Sequence, residues 1–223
     1  MVLKDYTGVI VPRRLMPTFE QRFYSKPFME NKPIISVLMS VYNTDFALVK
    51  RAIDSVLHQD YPDVELIIID DGSHTDTYNQ VLGYAKRHED KIVYIRHANR
   101  GQARSINRGI LNSIGEYITI LDGDDEYKPN HLRACLQEMA HADLIASTTE
   151  TIVDTDDDYY VPDRQHHNQL IHVDDCILFA TLFGKRAVFS GADFQGHYAA
   201  DADFYDRAAE QYRVKKEIGR AHV

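Results

Sequence analysis

The sequence predicts a doubly wound α/β fold, a mostly parallel sheet with helices on both faces, in a single domain. Three observations carry this. Strand-like apolar runs alternate with helix-period stripes four times after Pro33, which is the pattern of βα units. The first two runs are almost continuously apolar rather than alternating, as strands buried on both faces are. Three runs also stop abruptly in polar or acidic residues, at the strand ends where open parallel sheets bind ligands.

The elements follow in order. Ile34 to Tyr42 is an apolar run of strand length, and Asn43 and Thr44 offer caps for the helix after it. Val49, Ala52, Ile53 and Val56 recur at i, i+3, i+4 and i+7, one helix face. Val64 to Ile69 is a second buried strand that ends in Asp70-Asp71-Gly72-Ser73. Tyr78, Val81, Leu82 and Ala85 mark a helix, Lys91 to Arg96 a short strand, and Ala103, Ile106 and Ile110 another helical stripe. Glu116 to Leu121 is a strand stopped by Asp122-Gly123-Asp124-Asp125. Pro129 suits the first turn of a helix carrying Leu132, Cys135, Leu136 and Met139, and a fifth strand falls near Asp143 to Ser147. Asp154 to Gln169 is polar without apolar periodicity and reads as a mobile loop. Ile177 to Phe189 is apolar apart from Lys185 and Arg186, and Asp201 to Val214 reads as a helix with Phe204, Ala208 and Tyr212 on one face.

Composition narrows the function. The chain has 223 residues, 44% of them hydrophobic and 26% charged, so wholesale disorder is excluded. A net charge of −9 is a poor match to nucleic acid, whose binding rests on phosphate neutralisation. Two cysteines, Cys135 and Cys176, without CxxC spacing exclude a disulfide scaffold and a cysteine zinc site. No apolar run approaches the ~18–20 residues of a membrane span, and the N-terminus lacks a signal-peptide core. The expected location is cytoplasmic. Residues 1–32 differ from the rest, with six basic residues against three acidic ones. They form a basic extension, expected to lie along the domain surface or to make a peripheral membrane or homo-oligomer contact.

Acids gathered on one rim of a sheet repel one another unless a cation or hydrogen-bond donors compensate. Oxygen-only ligands suit Mg²⁺ or Mn²⁺, which bind one or two carboxylates together with substrate phosphates. Helix capping is the plain alternative for Asp71 and for one of Asp122 to Asp125, but two consecutive acids at one strand end and three within four residues at another exceed what caps need. An EF-hand loop from Asp122 lacks its glycine and glutamate, with Tyr127 and Arg133 at those places. Neither GxGxxG after the first strand nor GxxxxGK[ST] occurs.

Five stretches in order resemble family 2 glycosyltransferases with the GT-A fold. They are Ile35 to Asn43, Ser55 to Gln59, Glu65 to Ser73, Asn99-Arg100-Gly101 with Asn107 to Ile110, and Gly115 to Asp125. Each alone is weak; the ordered set is specific. The resemblance divides the domain into a nucleotide-sugar-binding half, 33–140, and an acceptor-side half, 141–223, where similarity thins to Asp201 to Arg207. It implies a nucleotide-sugar donor, a UDP-sugar before GDP- or dTDP-sugar, held by Val41, Tyr42, Asp71, Gly101, Arg104 and Asp122. Tyr42 would stack on the base, Asp71 would accept a uracil imide N–H, and Arg104 would offset phosphate charge. Asp122 and Asp124 form the DxD motif, with Asp124 as ligand of Mn²⁺ or Mg²⁺. The implied reaction is an inverting displacement onto a hydroxyl of a glycan or lipid-linked acceptor, with Asp201 as base. Here the chain departs from the family, since Ala200 stands where an acid often precedes that Asp; Asp203 competes for the role, and both acids also suit helix capping. His197 or His222 is a further candidate for the metal shell. Two readings stay open beside this one: a nucleotide-binding module without turnover, and a sugar-phosphate nucleotidyltransferase, which lacks its Gly-rich, Arg-containing loop here.

Overall fold

A computed structural model describes residues 34–221 apart from 165, 167 and 197. The basic extension, His197 and His222 therefore lie outside the described residues. Among those described, seven strands form one sheet. In chain order its first five are β1 (Ile35–Val41), β2 (Val64–Asp70), β3 (Ile92–Arg96), β4 (Tyr117–Ile120) and β5 (Leu144–Thr148). A separate two-stranded hairpin follows, β6 (Tyr160–Pro162) and β7 (Leu170–His172), and then β8 (Leu182–Lys185) and β9 (Val214–Ala221) complete the large sheet. The helices are α1 (Phe46–Leu57), α2 (Thr75–Arg87), α3 (Gln102–Asn112), α4 (His131–Glu138), α5 (Arg186–Gly191) and α6 (Ala200–Ala209).

The large sheet has the order β3-β2-β1-β4-β8-β5-β9. β1 pairs in parallel with β2 and with β4, while β8 runs antiparallel between β4 and β5. The chain thus works outward from β1 to β3 and returns to the other side of β1 as β4. That reversal opens a crevice at the carboxyl ends of β1 and β4.

The continuous apolar runs are explained by packing on both faces. From β1, Ile35, Val37, Met39 and Val41 join one core with Val49 and Ile53 of α1, while Leu38 joins the opposite core with Ile106 and Ile110 of α3. In β2, Leu66 and Ile68 face the first core, Ile67 and Ile69 the second. The strand period of two is intact; both faces happen to be buried. Gly109 lets α3 settle directly on the sheet, since a Cβ there would stand 2.9 Å from Ile69 Cδ1.

Several boundaries differ from the sequence expectation. The cap of α1 is Asp45, whose Oδ1 accepts the Ala47 N–H at 2.7 Å. Asn43 instead takes a left-handed φ of 54° and accepts the His74 N–H at 2.7 Å, tying β1 to the turn after β2. Pro129 precedes α4, and its carbonyl accepts Asp60 N–H at 2.9 Å. The polar segment expected to be a loop contains a 3₁₀ turn over Asp156–Tyr159 and strand β6, elements too short to leave a period. The last helix stops at Ala209, and Val214 opens β9 because it pairs with Leu144 of β5. No described helix is long and apolar enough to cross a membrane.

Candidate active site

Val41 is the hub of the rim. On the β2 side its carbonyl accepts the Asp71 N–H at 2.8 Å. On the β4 side Gly123 lies against it, with an added Cβ only 3.5 Å from Ser40 O and Val41 Cγ2. The Val41 side chain itself is 1% exposed, so what Val41 presents at the rim is its backbone. Tyr42, the next residue, is 51% exposed and free to stack.

Asp70 and Asp71 divide their work. Asp70 is buried and structural: Oδ1 accepts the Ser73 N–H at 2.7 Å, while Oδ2 accepts the Tyr94 hydroxyl and faces Arg96 Nε at 3.5 Å. Asp71 accepts the Arg100 N–H at 2.8 Å and the Gly101 N–H at 2.9 Å. Those amides belong to the turn that leads into α3, so Asp71 holds the entry to a helix 30 residues further along rather than capping α2, which follows it. A carboxylate offers about four acceptor positions, so these two bonds leave capacity for a third partner. Beside it, His97 Nε2 lies 3.5 Å from Asp71 Oδ1 and 3.1 Å from Ser105 Oγ. Burial lowers the His97 pKa despite the pull of Asp71, which keeps the ring neutral.

Asp122 accepts the Gln102 amide N–H at 2.6 Å. Gly101 and Gln102 are consecutive, so two adjacent residues grip the carboxylates of Asp71 and Asp122, which lie 51 positions apart in the chain. Burial first, then repulsion from Asp125, Asp124 and Asp201, pushes Asp122 up to about 7, against the Gln102 bond. Asp125 is raised as well, by burial and by Asp124, with Arg51 opposing. Arg51 of α1 also donates to the Asp124 carbonyl at 2.6 Å, fixing the backbone under an exposed carboxylate.

Asp201 stands in the first turn of α6, its Oδ1 accepting the Ala202 N–H at 2.8 Å. Burial raises its pKa, offset by backbone hydrogen bonds and by Arg164. Asp203 points elsewhere and ion-pairs with Arg207 Nε at 2.8 Å. Between α3 and residues 193–196 opens a cavity of about 330 Å³ lined by Arg100, Gly101, Gln102, Arg104, Asn107 and Ala200, among others. Arg104 is exposed, with no ion pair among the described residues.

The structure therefore brings Tyr42, Asp71, Gly101, Asp122 and Asp124 to one rim, and the charge of Asp201 is felt at Asp122. Sequence reasoning missed Gln102, Arg51 and His97. Each acts on a partner far along the chain, and no local spacing announces such a pair.

No group of three or more His, Cys, Asp and Glu among the described residues is disposed to hold a metal ion. The donor set is nonetheless compatible with a hard divalent cation, because the mutually repelling carboxylates Asp122, Asp124 and Asp125 could supply one or two oxygens and a diphosphate the rest.

A mostly parallel sheet flanked by helices, with acids gathered at the β1–β4 reversal, is the GT-A arrangement. The model of glycosyl transferase family 2 matches residues 36–200, and the chain belongs to that family. It is 31% identical over 191 residues to an uncharacterized glycosyltransferase of Rickettsia typhi, covering 78% of this chain and 58% of that one. It is 41% identical over 125 residues to WcaA of Escherichia coli K12, a glycosyl transferase named for colanic acid biosynthesis, covering 53% of this chain and 44% of that one. The chain spans about half the length of these curated relatives. Among solved structures it resembles the mannosyltransferase PcManGT of Pyrobaculum calidifontis in complex with GDP-Man and Mn²⁺, with TM-score 0.67, 19% identity, and 88% and 59% of the two chains covered. It also resembles S. aureus TarS residues 1–349 with UDP-GlcNAc, with TM-score 0.67, 20% identity, and 85% and 57% covered.

Proposed function

We propose that the chain transfers a sugar from a nucleoside diphosphate sugar, a UDP-sugar foremost, to a hydroxyl of a glycan or lipid-linked acceptor, in polysaccharide or glycoconjugate synthesis. One observation carries the reading: adjacent residues Gly101 and Gln102 hold Asp71 and Asp122 on a single rim, where the charge of Asp201 is also felt. TarS with UDP-GlcNAc supports the donor class, and the name of WcaA supports the pathway class.

In this reading Tyr42 stacks on the base, a contact worth about 1–3 kcal/mol, and Asp71 accepts the imide N–H with its remaining capacity. Asp122 approaches the ribose, Arg104 offsets phosphate charge, and Asp124 holds Mn²⁺ or Mg²⁺. The cation, when bound, supplies Lewis-acid stabilisation of the departing diphosphate. Asp201 takes the acceptor hydroxyl proton as that oxygen attacks the anomeric carbon from the face opposite the diphosphate, so configuration inverts. Burial of Asp201 raises its basicity toward that task, whereas Asp203 is tied to Arg207.

A binding module without turnover is the second reading, favoured by Ala200 in place of an acid; this alanine is 3% exposed within the apolar core. Thermal-shift measurements over a panel of nucleotide sugars with and without Mn²⁺, followed by transfer assays on the donors that shift, test both. Metal-dependent stabilisation by one donor with transfer supports the enzyme. Stabilisation without transfer or donor hydrolysis favours the module, and no metal-dependent stabilisation by any donor sinks both.

A further inference from the structure

Asn107 sits in the middle of α3, where asparagine is a poor helix former because its amide competes for backbone partners. Here the amide has a distant target. Nδ2 donates to the Phe194 carbonyl at 2.9 Å, and Oδ1 accepts the Phe194 N–H at 2.9 Å. The side chain thus pairs with both backbone groups of one residue 87 positions away, as a neighbouring strand would. Phe194 is 3% exposed and stacks on Phe204 of α6, ring centroids 4.2 Å apart and planes 22° apart. Phe204 lies one turn beyond Asp201 on the same helix. Arg207 of α6 closes the connection, donating to the Asp193 carbonyl at 2.7 Å.

We propose that Asn107 is a positioning residue that sets Asp201 at its working distance from the donor, by locking the segment before α6 to the helix whose first residues grip Asp71 and Asp122. This rests on the sugar-transfer reading above. α3 is a suitable reference body. Gly109 seats it on the sheet, and its N-terminus is fixed by the Asp71 and Asp122 carboxylates. The segment leading into α6 holds positive φ at Gly196 (79°) and Ala199 (50°), and α6 begins without a side-chain cap. Local sequence therefore does little to fix where that helix starts, and the Asn107 bridge supplies the missing constraint. Asn107 lines the cavity, but both its amide nitrogen and its amide oxygen bond Phe194, and in this role its effect reaches the reaction through Asp201.

The test is a comparison of kcat, donor KM and UDP affinity for Asn107→Leu and Asn107→Gln in the full chain, alone and on an Asp201→Asn background. Misplacing a base by about 1 Å costs roughly 100-fold in rate, so Asn107→Leu is expected to lower kcat by about 10- to 100-fold with UDP affinity unchanged. Asn107→Gln keeps an amide on a longer arm and falls between. The Asn107→Leu/Asp201→Asn double variant is expected to be no slower than Asp201→Asn alone, because the first change acts only through the second residue. Unchanged kcat, a parallel loss of UDP affinity, multiplicative losses in the double variant, or failure of both single variants to fold would each overturn the positioning role. Absence of transfer by the unaltered chain is a separate result, which overturns the sugar-transfer reading itself.

Discussion

Asp71→Asn separates the two duties of one carboxylate. In the folded chain Asp71 accepts two backbone N–H groups at the start of α3, at 2.8 and 2.9 Å. Asparagine is nearly isosteric but has one acceptor oxygen, so one N–H keeps its partner and the other meets an NH₂ group. Hydrogen bonds to charged acceptors contribute about 1.5–3 kcal/mol each, and a carboxylate at a helix N-terminus adds about 0.3–1 kcal/mol. The substitution is therefore expected to cost about 3 kcal/mol, which for a domain of this size lowers Tm by about 6–12 °C. Urea denaturation without nucleotide measures the structural share, and calorimetric titration with UDP well below the lowered Tm measures the binding share. UDP affinity is expected to fall as well if Asp71 accepts from the base as proposed, because asparagine leaves a single, uncharged acceptor oxygen to share between backbone and ligand. A variant as stable as the parent would show that the α3 amides do not depend on this carboxylate, and the account of the rim would fail with it.

Three other outcomes are expected. Asp124→Asn should abolish the Mn²⁺-dependent part of UDP binding; calorimetry showing equal affinity with Mn²⁺ contradicts its role as ligand. Asp201→Asn should retain UDP binding and lose transfer, whereas Asp203→Asn, which removes one ion pair of Arg207 and leaves its bond to the Asp193 carbonyl, should retain both; the reverse in a transfer assay moves the base to Asp203. Asp143, paired with Lys185 at 2.7 Å and Arg213 at 3.0 Å, has its pKa held far below the usual carboxylate range by those two partners. Its stabilisation is complete above about pH 5 and drains away as pH falls through the unfolded-state and then the depressed folded-state value. Asp143→Asn should thus destabilise the protein at pH 7 and flatten the acid side of its stability profile, read from urea melts between pH 7 and 2.

Much of this was legible before any coordinates. The two-sided burial of β1 and β2 shows as unbroken apolar runs, because strands covered on both faces have no polar face to display. The acids at the ends of β2 and β4 stand out because nothing in strand or helix formation calls for them. Less visible was how those acids are satisfied. That Asp71 holds the turn before α3, that Gln102 reaches Asp122 and that Asn107 holds Phe194 are pairings across 30, 20 and 87 residues. An amide or a carboxylate carries no local mark of a partner that far away. The hairpin β6–β7 escaped for a different reason, since three-residue strands are shorter than any period that reveals them.

The amino-acid order alone determined the α/β class, strands β1 to β4 and the acidic character of the rim, because periodicity and strand-end chemistry are written residue by residue. Only the tertiary structure decided that β8 enters antiparallel beside β4, that Asp70 and Asp71 serve backbone N–H groups, and that Asp203 pairs with Arg207 while Asp201 is partly buried. Those outcomes depend on which elements become neighbours, and neighbours are chosen by packing of the whole chain rather than by any one segment of it.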